Sequence, residues 1–406
     1  MSFDIALSGI QAINEQLDTV SNNIANAATY GFKASRANFA SLMAGTQPNG
    51  VEIGSVTQNI GQNGSTVTTG RALDAAIDGR GFFVSVNGQG TTQYSRVGIF
   101  STDAKGVLVD SNGNKVQGYG VSANGALGVM GDVTVPTGQI PAVATANIAY
   151  VGNLSADWTV PTTKFDSTKS ESYNMVKQSI IYDSLGSQHT LSQYFVKADD
   201  NTVNVFYAMD GAARSPTYAT DGTVATELTA DHALTFDATG ALTGTTTSNV
   251  SFGAAGGAAA GSVTIDYKGT TRFAGEASTT TNRSDGYASG SFVGLSMSPD
   301  GSLVAKYSND QSQVVGTVAL ATFANEGALS PISQTSWTAN SASGAALIDP
   351  PGVGLSGKLS TGALEGSNVD ITSELVGLMT SQRNYQANSK VLTSESQMMQ
   401  ALMQAL

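Results

Sequence analysis

The chain has 406 residues, a formal net charge of −12 at pH 7, no cysteine, and only 12% charged residues, where an ordinary soluble protein carries roughly 25%. A surplus of carboxylates without a basic face makes nucleic acid and anionic lipid poor partners. The missing thiols exclude disulfides, thiolate nucleophiles and cysteine-ligated zinc or iron–sulfur sites. A chain this long implies two or more domains with good cores, under a surface made polar by Gly, Ala, Ser, Thr and Asn rather than by ions.

Met1-Ser2-Phe3-Asp4 has no positive region, and no uninterrupted apolar core precedes a cleavage-like site. No cleaved secretory signal is therefore expected, and no segment reaches membrane-spanning length. A helix is expected over residues 1–28. Every seventh residue from Phe3 gives Ile10, Leu17 and Ile24, and the column from Ala6 gives Ile13, Val20 and Ala27, with Leu7 alongside. The columns lie three residues apart, as seam positions of coiled coils do. The pattern gives way at Asn22, Asn23 and Asn26, whose amides suit a helix end, while Gly31 suits a backbone conformation other residues resist. Residues 29–70 are rich in Gly, Asn, Gln, Ser and Thr and read, with 358–365, as a connector that orders only against neighbouring molecules.

From about Gly70 to Asp349 no long 3.6-residue period appears, whereas short alternating runs and turn dipeptides recur. Phe82–Val86 precedes Asn87-Gly88, and Val107–Val109 and Lys115–Tyr119 flank Asp110-Ser-Asn-Gly-Asn114; both predict hairpins. Ser179–Tyr182, Leu191–Lys197 and Thr202–Met209 predict a meander, and Gln313–Phe323 is the strand returning from Leu303–Tyr307. Gly253–Gly261, nearly all Gly and Ala, predicts a loop. Pro-containing sequence near Val135–Pro141 and the Gly/Ser change at Ser284–Gly290 mark out an inserted β domain at 146–283. Residues 71–145 and 284–357 would form the outer β domain around it.

The second helix is expected from Ile371, with Asp370 as N-cap, and should run about 54 Å. The seven-residue step gives Ile371, Leu378, Tyr385, Leu392, Met399 and Leu406, flanked by Leu375 and Met403. The outer faces of both helices are nearly uncharged: residues 1–32 hold only Asp4, Glu15 and Asp18, and 371–406 only Glu374, Arg383, Lys390 and Glu395. One reading is a helical hairpin within a single molecule. The other is a helix pair surrounded by copies of itself, since small and amide side chains permit close approach on every side; in open symmetry such copies form a helical polymer. The expected fold class is mixed, with coiled-coil-like terminal segments (1–28 paired with 366–406) and two mainly antiparallel β domains, the second inserted in the first.

The chemistry-bearing residues select no reaction. His189 and His232 sit in neither a metal spacing nor beside a Gly-framed serine and read as structural. Asp110-x-Asn112-x-Asn114 begins like a calcium loop, but glycine falls at the fourth position and Val121 stands where the twelfth-position Glu belongs. Gly79-Arg-Gly81 and Gly88-Gln-Gly90 lack the third glycine and the following helix of a phosphate cradle. Carboxylate pairs for glycoside hydrolysis need no local spacing, so a secreted adhesin or glycan-acting protein stands as the alternative class. No enzyme activity, cofactor or metal is expected.

Ser21-Asn-Asn-Ile-Ala-Asn-Ala-Ala-Thr-Tyr-Gly-Phe-Lys33 resembles the N-terminal signature of the bacterial flagellar rod and hook family, and Gly362–Asp370 through Gln382-Arg-Asn-Tyr-Gln386 is similar to its C-terminal signature. The residues carrying the likeness are Asn22, Asn23, Asn26, Gly31, Phe32, Lys33, Arg383, Asn384 and Tyr385. Within the family, Tyr307–Gly316 and Ala321–Gly327 resemble hook members, with a distal rod subunit as the nearer alternative. The resemblance implies a non-catalytic structural subunit of a curved helical tube that passes torque from rod to filament, with the helices inside and the β domains outside. It implies export through the flagellar type III apparatus without a cleaved signal. The implied neighbours are further copies, the distal rod protein, the hook cap and the hook–filament junction protein. Phe39-Ala-Ser-Leu-Met43 resembles the family's export-gate signal; as residues, Phe39 and Met43 equally suit an apolar anchor for the connector.

Overall fold

The computed structural model describes residues 2–44, 47–122, 126–218, 224–253 and 256–405. Its two helices lie at the chain ends, α1 over Ser2–Ala25 and α2 over Ile371–Ala405, and the rest is β-structure with short 3-10 turns. At the start of α2, Asp370 Oδ1 accepts the Thr372 amide and Oδ2 accepts the Ser373 hydroxyl, both at 2.9 Å. These bonds to Ser373 and to the backbone hold the Asp370 carboxyl below its usual range, as an N-cap carboxylate at the positive end of a helix should be. α1 stops three residues short of the expected end. There Asn26 turns its side chain back to donate to the Asn22 carbonyl at 2.9 Å, which takes the backbone into turns.

The chain forms two compact units. One comprises Met1–Thr137, Val293–Lys306 and Ser312–Leu406, the other Gly138–Phe292 and Tyr307–Gln311. In the first, residues read from composition as an unstructured connector instead form a hairpin, β1 (Ser35–Ala44) against β2 (Gln47–Gln58). Val51 and Ile53 alternate with polar residues, and a bulge at Gly54 shifts the register so that Val56 resumes the pattern; this β-type pattern outweighs the Gly and Asn content. The remaining strands close over two apolar clusters, one around Phe83, Phe100, Leu108, Val318 and Leu320, the other around Phe82, Tyr94, Phe323 and Trp337.

The predicted hairpins form. Phe82–Val86 pairs with Thr92–Ser95 across the Asn87-Gly88 turn, and the Asp110 carboxylate accepts the amides of Asn112 and Asn114, closing a turn where a calcium loop might have been sought. The expected single strand Gln313–Phe323 is divided at Ala319. Ser312–Val318 pairs with Lys115–Val121, whereas Leu320–Thr322 pairs with Phe82–Val86 and Leu347–Asp349. With Val318, Leu320 and Ala321 all buried, no single flat ladder could serve both sets of partners.

The second unit contains the predicted meander, Met175–Tyr182, Gln188–Lys197 and Thr202–Met209, extended by His232–Phe236 and Leu242–Thr243. A four-stranded sheet adds Asn147–Asn153, which pairs parallel to Gly261–Asp266 and antiparallel to Ser278–Ser284. Ile148, Tyr150, Phe195, Val205 and Ile265 fill the core. A buried polar chain crosses it: Tyr207 and Tyr267 hydroxyls meet at 3.0 Å, Tyr267 donates to Gln193, and Gln193 donates to Ser179. Burial pushes the Tyr207 phenol up to about 12, so the chain stays neutral.

The capping geometry sets a simple test. Asp370→Ala should reduce the stability of α2 by about 1 kcal/mol, read as lost helical circular dichroism on mild heating, with near-ultraviolet signals of the β-structure unchanged.

Candidate self-assembly site

The buried positions of α1 are Ala6, Gly9, Ala12, Ile13, Val20 and Asn23, and all but Ala12 recur at the heptad spacing. Asn388 of α2 lies over Gly9, where a Cβ would stand 2.9 Å from its Nδ2, and Val20 faces Gly377. Asn23 donates to Glu374 Oε1 at 2.9 Å, and Leu17 and Asn14 line a small groove with Gln382 and Tyr385. The face that α2 turns toward α1 therefore holds Gly377, Ser381 and Asn388 beside the half-buried Leu378 and Leu392. Small residues bring the backbones close, and amides satisfy the polar groups this buries.

Other seam residues lie at the surface of the single chain. Phe3 and Leu7 are exposed, Ile10, Leu17 and Ile24 half-buried, and on α2 Ile371, Leu375, Tyr385, Met399 and Met403 are exposed. Leu406 lies outside the described residues. Arg383 and Asn384 are exposed on α2, and Phe39 and Met43 are exposed on β1. Exposed apolar side chains are thus frequent on the helices and β1, which carry few ionic groups for their length.

The N-terminal signature residues meet at the root of the helix pair, whereas Arg383, Asn384 and Tyr385 lie farther along α2. Lys33 Nζ donates to Glu365 Oε1 at 2.6 Å and to the Gln62 carbonyl at 2.7 Å, and Arg96 Nη1 donates to Glu365 Oε2 at 3.2 Å; all three side chains are buried. Burial pushes both cations below their usual values, with the Glu365 charge opposing. The Arg96 guanidinium also lies 5.1 Å from the centre of the Phe82 ring, a cation–π contact. Gly31, at φ 68°, donates its amide to the Glu365 carbonyl at 2.8 Å, and a Cβ there would stand 2.9 Å from Val97. Asn23 accepts the Ser35 amide and donates to the Ser35 carbonyl. Asn368 accepts the Ala34 amide and donates to the carbonyls of Asn59 and Gln62. Phe32 is half-buried beside them. The sequence reading did not single out Arg96, Glu365 or Asn368, although the last two lie within the Gly362–Asp370 signature stretch; a lone Arg between strands carries no local signal.

Elsewhere, His189 lies between two carboxylates, with Nδ1 2.7 Å from Asp210 and Nε2 3.4 Å from Asp183. Its ring nitrogens are both engaged by carboxylates rather than by a hydroxyl, and no group of three or more His, Asp or Glu among the described residues could hold a metal. The Asp210 hydrogen bond, against the pull of burial, raises the His189 pKa. His232 donates to the Thr245 carbonyl and stacks on Tyr267.

Two measurements follow from these ion pairs. Glu365→Gln leaves two buried cations without an anion and should cost ~3–5 kcal/mol in urea unfolding; adding Lys33→Met and Arg96→Met should recover most of the loss. For His189, a folded pKa above the unfolded value of roughly 6.5 means that its stabilising contribution is complete below that value and fades as pH rises through the folded one. The melting-temperature advantage of wild type over His189→Gln should therefore be largest near pH 6 and shrink toward alkaline pH; a pH-independent difference would disprove the charge assignment.

Comparison with known proteins places these features. Residues 3–33 match the family model "Flagella basal body rod protein", 76–156 "Flagellar hook protein FlgE/F/G D1 domain", 153–287 "Flagellar basal body protein FlaE D2 domain", and 360–405 "Flagellar basal body rod FlgEFG protein C-terminal". The chain is 36% identical over 411 residues to the flagellar hook protein FlgE of Salmonella typhimurium, covering 99% of each. It is 31% identical over 459 residues to that of Treponema pallidum, covering 98% of this chain and 97% of the other. The crystal structure of Helicobacter pylori flagellar hook protein FlgE2 superimposes with a TM-score of 0.52 at 13% identity, over 74% of this chain and all of that one, a likeness of fold. With the N-terminal signature residues Asn23, Gly31, Phe32 and Lys33 gathered at the root of its terminal helices and 99% of its length matched to a hook protein at 36% identity, the chain belongs to the flagellar hook protein family.

Proposed function

We infer that this protein is a structural subunit of the flagellar hook, a curved helical tube of many copies that acts as a flexible joint between rod and filament. The observation that carries the reading is the apolar surface left exposed on α2, where Leu375, Met379, Met398, Met399, Leu402 and Met403 lie at the surface of a helix with very few ionic groups. A surface of this kind is stable in water only when covered, and further copies of the same chain supply the cover in a homopolymer. In this reading α1 and α2 form a coiled-coil-like inner layer with the residues 1–28 and 366–406. Residues 29–70 and 358–365 link it to an outer β domain at 71–145 and 284–357, which carries the insert 146–283.

Division of labour follows from the chemistry of the two layers. Inner helices joined by small residues and amides cohere strongly, while polar β surfaces without large apolar anchors exchange contacts at little cost. A joint that bends while it turns requires both. Subunits leave the cell through the flagellar type III apparatus without a cleaved signal, with Phe39 and Met43 displayed on β1 as an export signal. The assembled hook lies outside the cell surface, between the distal rod protein and the hook–filament junction protein, and grows beneath the hook cap. Its role is mechanical rather than catalytic.

Leu375→Asp tests the covered face. In the free chain residue 375 is 46% exposed, so the melting temperature of the monomer should stay within a degree or so. In a filament the carboxylate would be buried without a partner at a cost of several kcal/mol in every subunit, so polymerisation should be lost by electron microscopy and light scattering. Normal filaments would remove α2 from the contact.

A further inference from the structure

The helix pair has two unlike ends. α1 and α2 run antiparallel, since Gly9 meets Asn388 and Val20 meets Gly377, so the first turns of α1 and the last turns of α2 share one end, the tip. The final ten described residues of α2, 396–405, hold no charged side chain, and Met398, Met399, Leu402 and Met403 are each at least 60% exposed. At the opposite end, the root, a groove of about 350 Å³ is lined by Asn26, Phe32, Gln58, Ile332, Thr335 and Trp337. Lys33 also borders it, but its ammonium is turned into the buried pair with Glu365. The groove is therefore apolar and amide-lined, with no ionic group presented to an occupant.

One wall of this groove is strained. Gln334 and Thr335, in the loop between strands Ser330–Ile332 and Ser336–Thr338, adopt φ of 68° and 53°. That region favours glycine, and a β-branched residue there is an outlier. Strain of this kind concentrates where chains clamp a ligand. A glycine in the same turn would remove the strain but also the side chains that shape the wall.

We propose that the root groove receives the methionine-rich tip of α2 from another copy of the chain. The inference rests on the hook-subunit reading. Tip and root are the opposite ends of a helix about 52 Å long at 1.5 Å per residue, so one chain cannot fill its own groove. Two different surfaces at opposite ends of one subunit make a head-to-tail contact, which does not close on itself and propagates as an open helical assembly. The chemistry agrees on both sides: neither surface buries a charge, and unbranched methionines fill an irregular groove better than branched side chains would. The first turn of α1 shares the tip but carries Asp4, and desolvating that carboxylate disfavours it as the occupant.

The absence of cysteine makes the proposal directly testable. Chains carrying Ile332→Cys and chains carrying Met399→Cys, both at solvent-exposed positions, are mixed as minor components with wild-type protein, assembled, oxidised and run on a denaturing gel. Disulfides need Cα atoms within about 7 Å, so a dimer containing one chain of each kind should appear in filaments and be lost in unassembled mixtures. It should also be lost when Met399→Cys is replaced by Val176→Cys, an exposed residue of the second unit. Filaments that incorporate both variants, shown by mass spectrometry of the washed polymer, yet give no dimer above the Val176→Cys control would overturn the groove contact and leave the hook-subunit reading standing. Wild-type protein that forms no filaments at all would overturn that reading, and the groove contact with it.

Discussion

Glu365 stands between two buried cations that reach it from distant parts of the chain, Lys33 just after α1 and Arg96 from the β-structure. Its backbone matters as much as its carboxylate, because the Glu365 carbonyl accepts the Gly31 amide and the residue also pairs with Thr66. An ion cluster taken wholly out of water is not a strong source of net stability, since desolvation offsets most of the Coulombic attraction. What it supplies is a unique arrangement: any other register of the two termini would leave a charge buried without a partner. The exit of α1, the start of α2 and the β-structure are thereby held in one geometry.

With the root held in this way, the helices need little ionic decoration of their own. On the α2 side their contact is made by glycine, serine and asparagine, which permit close approach of α1 residues such as Val20, and Asn23 bridges to Glu374. The larger apolar side chains are left over on the outside, chiefly on α2. A monomer built like this keeps its stability in its β cores and its stickiness on its helices, so folding and assembly draw on different residues.

The second unit is organised on another principle. Its core is apolar, but a chain of Tyr207, Tyr267, Gln193 and Ser179 runs through it, and each buried polar atom in that run finds a partner. A fully satisfied network of this type specifies one packing of the two sheets at little cost in stability. His189 performs a similar service at the edge, holding a turn and a strand end through Asp183 and Asp210.

Much of this architecture was legible without coordinates. The seven-residue columns mark two terminal helices, Asp370 marks where α2 begins, and the alternation and turn dipeptides mark the meander and hairpins, because each of these is decided by interactions a few residues long. The signature around Asn23, Gly31 and Lys33 was likewise visible, though not the reason for it. Tertiary structure alone decided that Lys33 and Arg96 share Glu365, that Asn368 ties down Ala34, that composition suggesting a loose connector yields the β1–β2 hairpin, and that one run from Gln313 to Phe323 serves two partners. It also decided which face of α2 turns inward, the one with Gly377, Ser381 and Asn388 rather than the one with Leu375. A periodicity identifies the faces of a helix but cannot rank them when close approach through small residues competes with burial of large apolar ones. That competition is settled only by the shape of the surface across from it.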